Sequence, residues 1–168
     1  MMELAHISRV DQENDTFSYT AALSKPYVHS LEQVFQMFVD NEKLCLWFPE
    51  LSIDHLETGG IIRFDMGNDL NEEMTILEYS HHEVIAFTWD QDQVSFQVES
   101  SSPTTCQLKW VEYIKSWTEH TPRDVAGWHT CLDVIALLLD GEMSKDDINV
   151  WRKERWKQLY DKYSAMAI

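Results

Sequence analysis

Apolar residues recur along this chain in two rhythms, one of period two and one of three to four, and the switches between them divide it into elements. Phe17, Tyr19, Ala21 and Leu23 alternate with Thr16, Ser18, Thr20 and Ala22, which predicts a half-buried strand ending before Pro26. Ser30 with Gln33 three residues on makes a capping box, and Leu31, Val34, Phe35 and Phe38 follow at helical spacing. Glu42 to Phe48 predicts a second short helical turn before Pro49, with Trp47 and Phe48 as a bulky plug at its end. From Leu51 the period becomes two. Leu51 to Glu57 is followed by Gly59 and Gly60, which can take the positive φ of a tight hairpin turn, and then by alternating Ile62, Phe64 and Met66. Met74 to Tyr79 forms another run; Ile85, Phe87 and Trp89 share one face of the next, as do Val94, Phe96 and Val98, then Leu108, Trp110 and Glu112. The polar connections are too short for parallel crossovers, so the expected sheet is antiparallel, with about six or seven strands.

A long helix closes the pattern. Thr121 is the expected N-cap, with Pro122 at the first helical position, Asp124 in the first turn and Gly141 beyond the end. The span is about 18 residues, or roughly 27 Å. Val125, Trp128, Leu132, Ile135 and Leu139 form its buried stripe, widened by Leu137 and Leu138. Ser144 with Asp147 starts a final amphipathic helix whose apolar positions include Ile148, Trp151, Leu159 and Tyr163, expected to pack on the outside or edge of the domain. The organisation is thus α+β: a polar arm over residues 1–15, one domain over 16–143, and a helical extension over 144–168 packed on it. In this architecture a curved antiparallel sheet wraps a long C-terminal helix.

Charge excludes one class of partner. A net charge of -16 leaves no cationic stripe for phosphates, so nucleic acid is not expected. The basic residues are concentrated in 145–163, which holds six of the thirteen Lys and Arg against four acids. This predicts a solvated helix face docking on an acidic body, with an anionic membrane or acidic partner as the alternative. The three cysteines, Cys45, Cys106 and Cys131, are odd in number and widely spaced, which predicts buried thiols in a reducing compartment. Without a leader pattern or a long apolar run, the expected location is cytoplasmic, with no stable membrane insertion.

The stretch ILEYSHHEVIAFTW (Ile76–Trp89) resembles the V-x-E-x-x-P-P-x-x-L/I-x-F-T-W segment of the Hsp90-ATPase-activator-homologue (AHSA1-like) proteins, a branch of the START/Bet v 1-like (SRPBCC) superfamily. LCLWF at 44–48, Gly59-Gly60, the T-x-x-L-x-W strand from Thr105 and Gly127-Trp128 agree with it in order. The resemblance implies a helix-grip fold, in which the last helix closes a mostly apolar cavity against the sheet, and no fixed catalytic set. The chain departs from the pattern in having His81-His82 where the family often has two prolines, and in its basic helical extension.

His81 and His82 are adjacent, so in an extended segment their side chains diverge, and a turn role is expected. His120 and His129 have no second ligand at metal spacing; no metal and no cofactor are expected. Glu78 matches a family glutamate, or is an outward salt-bridge residue. Glu112 continues the inward parity of Leu108 and Trp110, which would desolvate its carboxyl and raise its pKa, making it a polar anchor or the one candidate catalytic acid/base; a bulge would instead turn it to solvent. The expected ligand-binding set is Trp47, Phe48, Phe64, Met66, Phe87, Trp89, Phe96, Trp110, Glu112, Trp128, Leu132 and Ile135. The leading function is a binding module for an apolar or amphipathic small molecule held between sheet and helix. An Hsp90-type co-chaperone and a cyclase- or hydrolase-type enzyme using Glu112 are the alternatives. The sequence leaves monomer and homodimer open.

Overall fold

The computed structural model describes residues 3–10 and 16–168. In chain order the elements are β1 (His6–Arg9), β2 (Tyr19–Tyr27), α1 (Leu31–Val39), α2 (Asn41–Trp47), β3 (Leu51–Ile53), β4 (Ile61–Gly67), β5 (Leu70–Ser80), β6 (Val84–Trp89), β7 (Asp92–Ser102), β8 (Thr105–Ile114), α3 (Thr121–Asp140) and α4 (Lys145–Ser164). The strands form one eight-stranded sheet in the order β1-β2-β8-β7-β6-β5-β4-β3. Every neighbouring pair is antiparallel.

The strand beyond the expected six or seven comes from the polar arm. His6–Arg9 pairs with Tyr19–Ala22 of β2, and Ala5 is buried beside it. HISR holds a single apolar residue, so no alternation marks it; the free edge of β2 supplies the pairing. The rest of the arm, residues 1–2 and 11–15, lies outside the described residues. β2 runs on through Pro26 to Tyr27, because β1 has already ended there and the proline removes no ladder hydrogen bond on that side. β3 stops at Ile53, and the two glycines do different work: Gly59 takes φ +88°, whereas a Cβ on Gly60 would lie 1.9 Å from the His55 carbonyl oxygen. β5 begins at Leu70, four residues before the expected strand, in an exposed hairpin with β4. The His81-His82 pair does form the turn before β6, with His82 at φ 62° and the rings stacked at 3.8 Å.

α2 turns Leu44 and Trp47 inward, which leaves Cys45 exposed, contrary to expectation, while Cys106 and Cys131 are buried free thiols. α3 is capped by His120 without a side-chain cap; the expected cap, Thr121, is the first helical residue and accepts from the Thr118 N–H at 2.9 Å. Gly141 ends the helix at φ 68°. The sheet-facing residues Leu132 and Ile135 are buried, but so are His129, Thr130 and Asp133. α4 covers that second side of α3, burying Ile148, Leu159 and Tyr163, so it is a core-forming layer rather than an edge decoration.

Polar groups trapped between the two helices have partners, as burial demands. Tyr163 accepts from the Ala5 N–H at 2.7 Å, which leaves its own proton for Nδ1 of His129 at 2.8 Å. The other nitrogen, Nε2, faces Asp133 at 3.8 Å. Asp133 in turn receives Lys25 at 2.7 Å and Arg155 at 2.9 Å. Two of the extension's basic residues therefore face inward, since Arg152 also donates to the Trp47 carbonyl and to Cys131 Sγ.

Burial lowers the His129 pKa from 6.5 to about 4, outweighing the attraction of Asp133. A histidine depressed in the folded state is held neutral there, while the unfolded chain takes up the proton first. Folding stability should therefore fall as pH drops from about 6.5 to about 4, by about 3 kcal/mol at the lower end. Denaturant unfolding of wild type and His129→Gln across this window should show the slope in the first and a flatter profile in the second.

Candidate functional site

β8 keeps strict two-residue parity, with Leu108, Trp110, Glu112 and Ile114 all buried. No bulge intervenes at Glu112, so the carboxyl enters the interior. Its cross-strand neighbours are Ala21 of β2 and Val94 of β7, both fully buried and unable to hydrogen-bond through their side chains. Neither Glu112 oxygen has a hydrogen-bond partner among the described residues, and the same holds for Nε1 of Trp110. Burial, followed by the charges of Asp124 and Asp92, pushes the Glu112 carboxyl well above the usual glutamate range.

Those two aspartates come from other elements. Asp92 opens β7 and accepts from the Lys115 N–H at 2.9 Å. Asp124, in the first turn of α3, faces His120 at 3.2 Å and accepts from the Trp89 side chain. Burial raises the pKa of both. One carboxylate oxygen from each of Asp92, Glu112 and Asp124 lies within 4.8 Å of the others.

An aromatic cluster meets this group at Trp89, with Trp128 at its centre. Ring centroids lie 4.9 Å away for Trp89, 5.4 Å for Phe96, 5.7 Å for Phe48, 6.1 Å for Phe87 and 6.5 Å for Trp47. Trp47 is fixed by donating Nε1–H to the Met37 carbonyl at 2.7 Å.

A cleft of about 530 Å³ opens between the Trp47–Glu50 corner, the first half of α3 and α4. Trp47, Phe48, Trp89 and Trp128 of the expected ligand set line it. Phe64, Met66 and Trp89 line a smaller cleft of about 310 Å³ on the other side of Trp89 and Asp124. Met66 is 58% exposed, because the β4–β5 register shifts at this position and the hairpin end leaves the core. Phe87, Phe96, Trp110, Glu112, Leu132 and Ile135 line neither cleft; they are packed between sheet and α3. The larger opening is therefore displaced from the sheet–helix interface toward α4. Glu78 is exposed, beside the β5–β6 irregularity.

The sequence reading missed Arg123, Gly127, Arg152, Lys153 and Trp156 as cleft residues. Two signals were available: the basic residues gathered in α4, and a glycine inside α3. At Gly127 an added Cβ would meet only Trp156 Nε1, at 4.0 Å, so packing does not require glycine there, and its absent side chain leaves space in the cleft. A mid-helix glycine costs roughly 1 kcal/mol relative to alanine.

A long helix held against an antiparallel sheet and covered by a further helix defines an α+β protein of the helix-grip class. Residues 29–140 match the family model described as Activator of Hsp90 ATPase homolog 1-like protein, and the chain belongs to that family. No curated protein matches the chain. Among solved structures, it is similar to a conserved protein of unknown function from Enterococcus faecalis, with 21% identity and a TM-score of 0.70 over 92% of this chain and 91% of that one. CalU16 from Micromonospora echinospora is also similar, with 18% identity and a TM-score of 0.65 over 93% and 96% of the two chains. An Hsp90 activator from Plasmodium falciparum has 18% identity and a TM-score of 0.60 over 72% of this chain and 96% of its own. These likenesses establish the fold. Among the described residues, no helix is long and apolar enough to cross a membrane.

Glu112→Gln keeps the side-chain shape and removes the buried charge. In chelator-treated protein at pH 8 it should stabilise the fold by on the order of 1 kcal/mol or more, since each unit by which burial raises a carboxyl's pKa costs about 1.36 kcal/mol once it ionises. The gain should shrink as pH falls, since a carboxyl with a raised pKa costs stability only as it ionises. Denaturant titrations at pH 8 and pH 5 provide the comparison.

Proposed function

We propose that this protein binds an amphipathic small molecule in the cleft between α3, α4 and the Trp47–Glu50 corner. The observation that carries this reading is the cleft's composition: Trp47, Phe48, Trp89 and Trp128 offer apolar walls, and Arg123, Arg152 and Lys153 stand among them as cations. Its volume of about 530 Å³ suits a small ligand. Lys153 has no ion-pair partner among the described residues, so an anionic end on the ligand would find a cation not already engaged by protein. Gly127 supports the same reading, because leaving that space open costs helix stability. Catalysis by Glu112 is disfavoured, since its carboxyl does not line the cleft.

The amphipathic anion 1-anilinonaphthalene-8-sulfonate should bind folded protein saturably at one site and quench tryptophan emission. Gly127→Leu, which fills the cleft, should retain the wild-type circular dichroism and weaken that binding at least about tenfold, roughly 1.4 kcal/mol. Binding unchanged by Gly127→Leu would overturn the reading. Family membership and the likeness to an Hsp90 activator favour a second reading, as a chaperone partner. It predicts a changed Hsp90 ATPase rate on adding this protein, with no dependence on Gly127.

A further inference from the structure

We propose that Asp92, Glu112 and Asp124 form a binding site for a hard divalent cation of the Ca²⁺ type at the junction of β7, β8 and the first turn of α3. The three carboxylates offer oxygen atoms all within 4.8 Å of one another. Three oxygens each bound to one Ca²⁺ at 2.3–2.6 Å and equally spaced around it lie about 4.0–4.5 Å apart, so a spacing within 4.8 Å needs at most a few tenths of an ångström of side-chain adjustment to close on a single ion. An oxygen-only donor set selects hard cations over zinc or copper.

The cluster's acidity alone would not require an ion. What points to one is Glu112, which is fully buried between Ala21 and Val94 with both oxygens lacking a partner. Elsewhere the same protein treats a buried acid differently: Asp133 receives Lys25 and Arg155. Around Glu112 the compensation is absent. His120 and Trp89 serve Asp124, the Lys115 N–H serves Asp92, and no Lys or Arg side chain pairs with any of the three among the described residues. The α3 N-terminus contributes only a partial positive charge. Asp124 also lines both clefts, which gives an ion a route from solvent to Glu112. This site does not rest on the ligand reading. A proton on Glu112 would also relieve the charge, and the two occupants respond oppositely to added metal.

Tb³⁺, a luminescent stand-in for Ca²⁺, should be sensitised in chelator-stripped protein by Trp89, whose indole donates to Asp124. Saturation at one ion per chain is expected, with displacement by excess Ca²⁺ and an upward shift of the unfolding temperature when Ca²⁺ is added. Glu112→Gln should weaken Tb³⁺ binding at least tenfold, and half-buried Asp92→Asn, which leaves the core intact, should do the same. Failure of Tb³⁺ to saturate, or equal affinity in wild type and both variants, would assign the signal to the acidic surface and overturn the site, leaving Glu112 to be neutralised by a proton.

Discussion

Burial of α3 around most of its circumference is the constraint on which the rest of the structure depends. One side meets the sheet through residues such as Leu132 and Ile135, and the other is covered by α4. A helix enclosed in this way cannot direct its polar residues to water, so each must find a partner within the protein or bear the cost of desolvation. The sheet gains from the same arrangement. Its inward positions on β6 and β7 need an apolar cover, and Trp128 provides much of it by touching Phe87, Trp89 and Phe96.

The two sides of α3 meet that demand differently. Toward α4, His129 and Asp133 are joined into a chain that reaches from the Ala5 N–H through Tyr163 to Lys25 and Arg155. It ties β1, β2, α3 and α4 together with charge-assisted contacts in a sheltered setting, where they are stronger than on an open surface. Toward the sheet, Glu112 is enclosed by apolar neighbours and other acids, with no protein cation. One side is a finished structural network. The other retains an electrostatic demand that an external species can meet.

Placement of the cleft follows from the same layering. The space between sheet and α3 is occupied by Phe96, Trp110, Leu132 and Ile135, so the larger cleft lies outside it, where the third layer does not close over the second. That occurs where α4 passes the Trp47–Glu50 corner and Gly127 presents no side chain. The cleft thus combines aromatic walls from the family domain with cations from α4, which lies outside the matched residues 29–140.

Period-two and helical patterning made most of the fold legible: the capping box at Ser30, the strands at β6, β7 and β8, and the Gly141 end of α3 all rest on interactions between residues close in sequence. The inward direction of Glu112 was legible for the same reason, since alternation along one strand determines which face a side chain occupies. β1 was not legible, because HISR is a strand only through the edge it pairs with. Nor were the partners of α4, because Arg152 reaching Trp47 and Tyr163 reaching His129 span residues far apart in the chain. By itself the sequence determined which face of most strands and helices would turn inward; only the tertiary structure decided how far each position was buried and what each buried group would face. Periodicity is a property of one element, whereas a carboxylate's neighbours, a cleft's walls and an exposed Cys45 depend on how several elements pack.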